Sequence, residues 1–596
     1  MTIHICTLIS LSFLPHQHLE IQLDPKTHTL VGTTTISDCD EVSVNAEGLE
    51  VLPTTNGKIR WRAVFNDDVA SGERVGQIHN FSVDAHISEN GVFLSDWAGW
   101  YPTPVDSEGN PIQRTISMSV EPVDEWTFVG SGNPEGQKWV TPRPVDGMAL
   151  VGNKHVVTKR TVQTPKGDVV ISVHLDSSHA DKSMFYLDAA DDYLQLYTPL
   201  LGEYPYEQFA IVENFFSSGF AYPGFTVLGP RVVGMAPKSL APGYLDHELL
   251  HNWWGNGVYV DSSNGNWCEA LTSYSANYGR RGLEDGEDAA RTYRRGLLNK
   301  VSLDPTLDNG ALSKFGSADP SDGPVDRFVG YDKGAFVFMM LEEVLNAGTD
   351  IKDASQSKIW PVLARFAKDN MGKAASWEAI QLSAEQQYPE RPSGWLDPFF
   401  KQWVYEHNVP VTSPELKAVP PQVLETESGK SWISIDPDYK YYRLFPKRQI
   451  SPTIAGTLSG TTVKVDTTEE VLQDTGAWLA DVEDGKNLLL IGDAPIQEHA
   501  GLLAQCEDLI SFHKNGFTVG GETYEGDDLA VLHTMNHPTN DGEFITVFYS
   551  VGDAGWERLR FIWYYTKDTS VIWNANETLL RRVFEPSGRL IHGSAP

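Results

Sequence analysis

The chain has 596 residues, 41% of them hydrophobic and 11% aromatic, with 17 Trp. That is ample apolar material for about three or four packed domains, and it excludes a disordered chain. A net charge of −34 at pH 7 repels nucleic acid and anionic membrane surfaces, so neither is expected as a partner.

Cys6, Cys39, Cys268 and Cys506 show neither a C-x-x-C spacing nor a dense framework of the disulfide kind. No run approaches the ~18 consecutive apolar residues of a membrane helix, so no span is expected. Residues 5–14 are apolar, but residues 1–15 lack a basic start and a small-x-small cleavage site. The segment therefore reads as a poor signal peptide. It is either a first strand or an imperfect start of the reading frame, and the compartment stays open between cytoplasmic and periplasmic.

Residues 1–180 read as an all-β sandwich or saddle. Leu19-Glu20-Ile21-Gln22-Leu23 alternates, residues 25–28 form a turn, residues 30–36 are β-branched, and residues 169–175 (VVISVHL) repeat the pattern. The aromatic cluster at 97–102 (WAGWYP) suits core packing better than a cleft wall. Residues 181–410 change to a mostly α pattern with a small sheet. Met184, Leu187, Tyr193, Leu194, Leu196 and Tyr197 follow helical spacing, residues 209–212 are a short strand, and residues 217–224 are a Gly-containing turn. Further helices are expected near 268–281, 287–300, 332–347, 357–369, 376–387 and 398–407. Pro410, Pro414, Pro420 and Pro421 mark a linker, placed at 411–424. Residues 425–596 read as a small α/β domain with buried strands at 488–493 and 544–550 and no nucleotide-binding motif. His533 and His537 there lack a Glu partner and read as structural.

The chemistry lies in Asp246-His247-Glu248-Leu249-Leu250-His251-Asn252-Trp253-Trp254-Gly255-Asn256. Chance supplies H-E-x-x-H about 0.03 times per chain of this length and composition. Histidines four apart on a helix share a face and can reach one metal ion, with Glu248 beside them as a general base. Pro242 suits the first turn and Gly255-Asn256-Gly257 a stop. Surface or core histidines on an ordinary helix are the bland alternative. A hydrolytic zinc site needs a third protein ligand and an open position. Glu269 supplies one after a loop at 261–265, with Asp261 and Cys268 as rivals. Asp246 is either a group orienting a ligating histidine or an exposed acid at the helix start.

These residues resemble the aminopeptidase N group of zinc metallopeptidases, gluzincins with a thermolysin-like catalytic domain. The resemblance rests on Leu201-Gly202-Glu203-Tyr204-Pro205-Tyr206, on residues 247–256, on residues 267–274, on Tyr331-Asp332-Lys333-Gly334-Ala335, and on Phe399-Phe400-Lys401-Gln402-Trp403 with Pro410. It spans about 200–410, covers the β region loosely, and does not extend into 425–596. It implies one Zn²⁺ held by His247, His251 and Glu269, Glu248 as base, Tyr331 as oxyanion donor, and a peptide substrate. Two departures stand out. The spacing from His251 to Glu269 is one residue shorter than is usual in the family. The family's amine-binding Glu has no counterpart in Gly219-Phe220-Ala221-Tyr222-Pro223-Gly224, a stretch expected to line the substrate; Glu213 is the nearest upstream acid. The sequence therefore leaves open an aminopeptidase, a peptidase of internal bonds or blocked peptides, and a non-catalytic peptide-binding scaffold.

Overall fold

The structure is a computed structural model. It describes residues 15–37, 43–55, 58–66, 84–136, 138–319, 321–407, 423–426, 429–432, 436, 438–445, 450–458, 463–467, 485–506, 510–540, 542–552, 555–556, 558–559, 562 and 565–583. The segment at 1–14 with Cys6, Cys39, and the linker up to 422 lie outside these residues; 423 and 424 belong to the strand Val423–Thr426. The chain divides into two compact units, Met1–Ala290 with Gly310–Glu406, and Arg291–Asn309 with His407–Pro596.

The first unit begins with the expected hairpin. His16–Asp24 pairs antiparallel with Thr29–Ser37 across a turn. Leu19, Ile21 and Leu30 fall on its inner face, as period-two alternation requires. The hairpin lies within a seven-stranded sheet, and Thr127–Gly130, Leu150–Asn153, Gly91–Leu94 and Ala85–Ser88 form a four-stranded one. One core joins them: Leu19, Ile21 and Trp61 from the first meet Ile87, Leu94 and Leu150 from the second, with Trp100 fully buried between. Trp100 and Tyr101 are thus core residues, as the aromatic cluster suggested, while Trp97 is 55% exposed.

The four-stranded sheet is apolar on both faces. Phe93 and Val151, neighbours of Leu94 and Leu150, point the other way onto Ala210, Val212, Phe225 and Val227. Those four belong to a five-stranded mixed sheet ordered Val156–Thr164, Gly167–Leu175, Gln208–Glu213, Phe225–Leu228, Gly219–Tyr222. This sheet takes strands from both sides of residue 180. Gln208–Glu213 is buried at every position, the signature of a strand covered on both faces. The helix Ser183–Leu201 covers the sheet with Tyr186, Leu187, Ala190, Tyr193, Leu194 and Tyr197, one stripe at 3.6 spacing. Met184, at its start, faces solvent. Helices Cys268–Ser273, Gly334–Asn346, Ile359–Asn370 and Trp377–Gln386 complete the mostly α part of this unit.

The second unit carries a six-stranded mixed sheet ordered Val463–Asp466, Asn487–Ile491, Phe544–Ser550, Ala530–Asn536, Ser570–Trp573, Thr578–Arg582. Leu489, Ile491 and Phe548 bury on one face, Leu490, Ile545 and Val547 on the other. A helix, Asp493–Glu498, follows the second strand in the α/β manner. His533 is buried with its ring on Ser570 Oγ, whereas His537 bonds within its own turn at Thr539. Among the described residues no helix is long and apolar enough to cross a membrane.

Candidate metal centre

The helix bearing the H-E-x-x-H residues is short, Leu245–Leu250. Pro242 lies before it rather than in its first turn. The cause is Asp246, whose Oδ1 accepts from Gly243 N at 2.9 Å, Tyr244 N at 3.1 Å and His247 N at 3.1 Å. Gly243 sits at φ +93°, so the chain turns sharply there and the helix begins only afterwards. His251 N still bonds to His247 O at 3.2 Å, which keeps the two histidines one turn apart. Their rings lie 4.8 Å apart at 84° and their Nε2 atoms 3.2 Å apart.

The His251 Nδ1–H donates to the Trp254 carbonyl at 3.0 Å, which leaves the Nε2 lone pair facing His247. Glu269 reaches the same point from the next helix. Asn266 Oδ1 caps that helix by accepting Cys268 N at 2.9 Å. Glu269 Oε2 stands 3.3 Å from His247 Nε2 and 3.6 Å from His251 Nε2. This oxygen is buried and has no hydrogen-bond partner. Burying a carboxylate oxygen unpaired against two imidazole nitrogens is costly unless a cation lies among them. The three ligand atoms lie within 4.8 Å of one another, and this is the metal-ligating cluster found among the described residues. Two imidazoles and one carboxylate match a hydrolytic zinc donor set.

The rivals for third ligand are not in the cluster. Asp261 accepts Ser263 N at the loop start, and Cys268 is a buried free thiol that lies beside His251 but outside the group of converging ligand atoms. Asp246 is fully buried, with Oδ2 3.3 Å from Arg280 Nη1. Burial pushes its carboxyl up against the opposing pull of Arg280. Its hydrogen bonds run to backbone N–H groups and to Arg280, so it fixes the helix start rather than an imidazole.

Tyr331 enters from a π-helical turn, Val329–Lys333, of a kind that often marks functional sites. Its ring lies parallel to that of His247, 6.2 Å away at 11°. Burial and the Glu269 carboxylate together push its phenol well above the usual range. Gly334 explains the approach: a Cβ there would stand 2.4 Å from Ala270 Cβ, so only glycine lets this segment close on the Glu269 helix. Glu248, between the two histidines in sequence, is half-buried.

The strand Gly219–Tyr222 is the outer strand of its sheet. Asn252 Oδ1 accepts Gly224 N at 2.8 Å and so fastens this hairpin to the histidine-bearing segment. Gly219 is exposed, Phe220 and Ala221 are half-buried, and Tyr222 is 1% exposed, stacked on Phe225 and Trp97. No side chain in this strand is charged. Glu213 is engaged on both oxygens, by His179 Nδ1 at 2.7 Å and by Asp176 N at 2.9 Å. The Tyr222 hydroxyl is buried without a partner, and burial, with the charges of Asp96 and Asp84 added, raises it well above its ordinary value. Asp96 Oδ1 is likewise buried without a partner, and burial with the nearby Asp146 pushes that carboxyl up to about 6.

No family model matches the chain. It is 24% identical over 197 residues to aminopeptidase N of Oryctolagus cuniculus, covering 31% of this chain and 19% of that protein. It is 25% identical over 238 residues to endoplasmic reticulum aminopeptidase 1 of Homo sapiens, covering 36% of this chain and 24% of that protein. The chain thus spans about a quarter or less of the length of the curated relatives it matches. The structure of native yeast LTA4 hydrolase superposes with a TM-score of 0.47 at 16% identity, over 68% of this chain and 70% of that one.

Several residues of the site escaped the sequence reading. Arg280 has no local signal, since its partner Asp246 lies 34 positions away. Asp96 immediately precedes the aromatic cluster at 97–102, and no charged residue lies beside it in sequence to mark it. Arg327 was legible in principle, four residues before Tyr331 and so one helical turn from it. Its guanidinium lies 4.3 Å from the Tyr331 ring centroid.

Proposed function

We propose that the chain is a zinc-dependent peptide-bond hydrolase with one ion held by His247, His251 and Glu269. The observation that supports this most directly is the buried, unpartnered Glu269 Oε2 set 3.3 Å and 3.6 Å from the two histidine Nε2 atoms. A bound zinc ion supplies a Lewis acid that polarises the scissile carbonyl and brings the pKa of water to ~7. Glu248 takes a proton from the attacking water and delivers it to the leaving nitrogen. Tyr331 donates a hydrogen bond to the developing oxyanion, and its raised pKa keeps that proton in place at neutral pH. The open edge of Gly219–Tyr222 offers backbone donors and acceptors to an extended peptide, in the manner of strand addition.

A second reading, cleavage of internal bonds or of blocked peptides, is favoured by the uncharged edge strand and by the engagement of Glu213 with His179. Comparing a free-amine dipeptide amide with its acetylated form separates the two. For the central claim, elemental analysis should find one zinc per chain. The Glu248→Gln variant should keep that zinc and the fold yet lose turnover by about 10²–10⁴-fold. Protein without zinc that gains no activity when zinc is added, or unchanged turnover in the variant, would sink the proposal.

A further inference from the structure

We propose that Arg327 reads a carboxylate of the substrate, so that the site favours peptides carrying a negative charge one or two residues beyond the scissile bond. This rests on the peptidase reading above. Arg327 is exposed, yet it is fixed in place by its guanidinium lying 4.3 Å over the ring of Tyr331. That ring in turn lies 6.2 Å from His247 and parallel to it. The two spacings together bound the guanidinium within about 10 Å of the His247 ring. A peptide advances about 3.3–3.6 Å per residue, so a carboxylate one or two residues past the scissile carbonyl falls within reach.

Charge supports the same assignment. Among the described residues no carboxylate pairs with Arg327, whereas Lys314 is paired with Asp322 at 2.7 Å. The five donors of a guanidinium form a planar fork suited to a carboxylate, and stacking on an aromatic ring leaves that fork open at its edge. The chain carries a net charge of −34, so an anionic substrate approaches against its general field and needs a local cation to be held. The bland reading is that Arg327 only clasps Tyr331. The two readings differ in one observable: a clasp affects all substrates alike, a carboxylate reader changes the ratio between charged and uncharged ones.

The test uses the full-length zinc-loaded protein and four peptide sequences, eight substrates in all. Ala-Ala-Ala is compared with its C-terminal amide, and Ala-Asp amide with Ala-Asn amide, each with a free and an acetylated N-terminus. Wild type is expected to favour the carboxylate member of at least one pair by about tenfold or more in kcat/KM. Arg327→Gln should bring that ratio to about one, and Arg327→Lys should restore part of it. A preference in the first pair assigns the charge to the C-terminus, and in the second to an acidic side chain; both support the inference. A ratio near one in wild type, or a wild-type ratio that survives in Arg327→Gln, overturns it while leaving the peptidase reading intact. Hydrolysis of none of these peptides overturns both.

Discussion

Asp246 offers the sharpest test of how the metal centre is built. Its side chain is fully buried and does two jobs with two oxygens: Oδ1 gathers the N–H groups of Gly243, Tyr244 and His247, and Oδ2 faces Arg280. Asp246→Asn keeps the first job and removes the charge from the second. Breaking a buried ion pair from one side costs about 3–5 kcal/mol. Arg280 retains Glu284 at 2.8 Å and the ring of Tyr193 at 4.5 Å, so part of its charge stays compensated. The expected loss is therefore lower, about 2–3 kcal/mol. Asp246→Ala also strips the acceptor from the helix start, adding about 1–3 kcal/mol. Arg280→Met in the Asn background should recover stability, because it removes the stranded cation. Denaturant unfolding of the metal-free proteins gives these differences, and zinc titration gives affinity, which should fall about 10–100-fold. Equal stability of the Asn and Ala variants would refute the capping role. Weaker zinc binding with no loss of stability would instead indicate a direct grip on an imidazole.

Tyr331→Phe keeps the ring against His247 and Arg327 and removes the hydroxyl alone. A fall in kcat of about 10²–10³-fold with KM little changed is expected, and steady-state kinetics on one good peptide decides it. Asp96 titrates at about 6 in the fold against 3.8 ordinarily, so the folded chain holds this proton more tightly than the unfolded one. Its contribution therefore becomes steadily less favourable as pH rises from ~4 to ~6 and is constant above that. Asp96→Asn removes the effect: the variant and wild type should match near pH 4, and the variant should be more stable by up to about 3 kcal/mol above pH 6. Thermal melts across this range test it, and parallel curves at every pH would count against a buried, strained carboxyl.

The legible parts of this chain were those where local pattern and final role coincide. Period-two alternation gave the His16–Asp24 and Thr29–Ser37 hairpin, because a one-residue slip would turn Leu19, Ile21 and Leu30 outward. The triad was readable because His247 and His251 are one turn apart and Glu269 opens the next helix. Helix ends were less readable. A proline and a pair of glycines suggested a helix from Pro242 to Trp254, but a side chain from within, Asp246, claims the N–H groups that would have opened it earlier. Sheet membership was not readable either. Whether Gly167–Leu175 joins the sheets before it or the strands after it depends on pairing with Gln208–Glu213, 38 positions on, and alternation carries no information about partners.

The remaining question is how such a site would fix which bond is cut, and here charge placement decides more than fold. A site can set register by holding either end of a peptide, and in both cases the specificity comes from a charged group that is left unpaired when the wrong substrate binds. On the edge-strand side the candidates are absent or committed: Gly219–Tyr222 carries no charge, and Glu213 is held by His179 and by Asp176 N. Asp96 is close enough to perturb Tyr222, but its Oδ1 is buried and burial works against its charge. On the Tyr331 side a guanidinium is exposed, aligned by its ring contact and without a carboxylate partner among the described residues. Rejection of an uncharged analogue costs more where a rigid, charged donor is left unmet than where a buried acid can simply keep its proton. On the peptidase reading proposed above, the register of the substrate would accordingly be set from the side of Arg327 rather than from the uncharged edge strand.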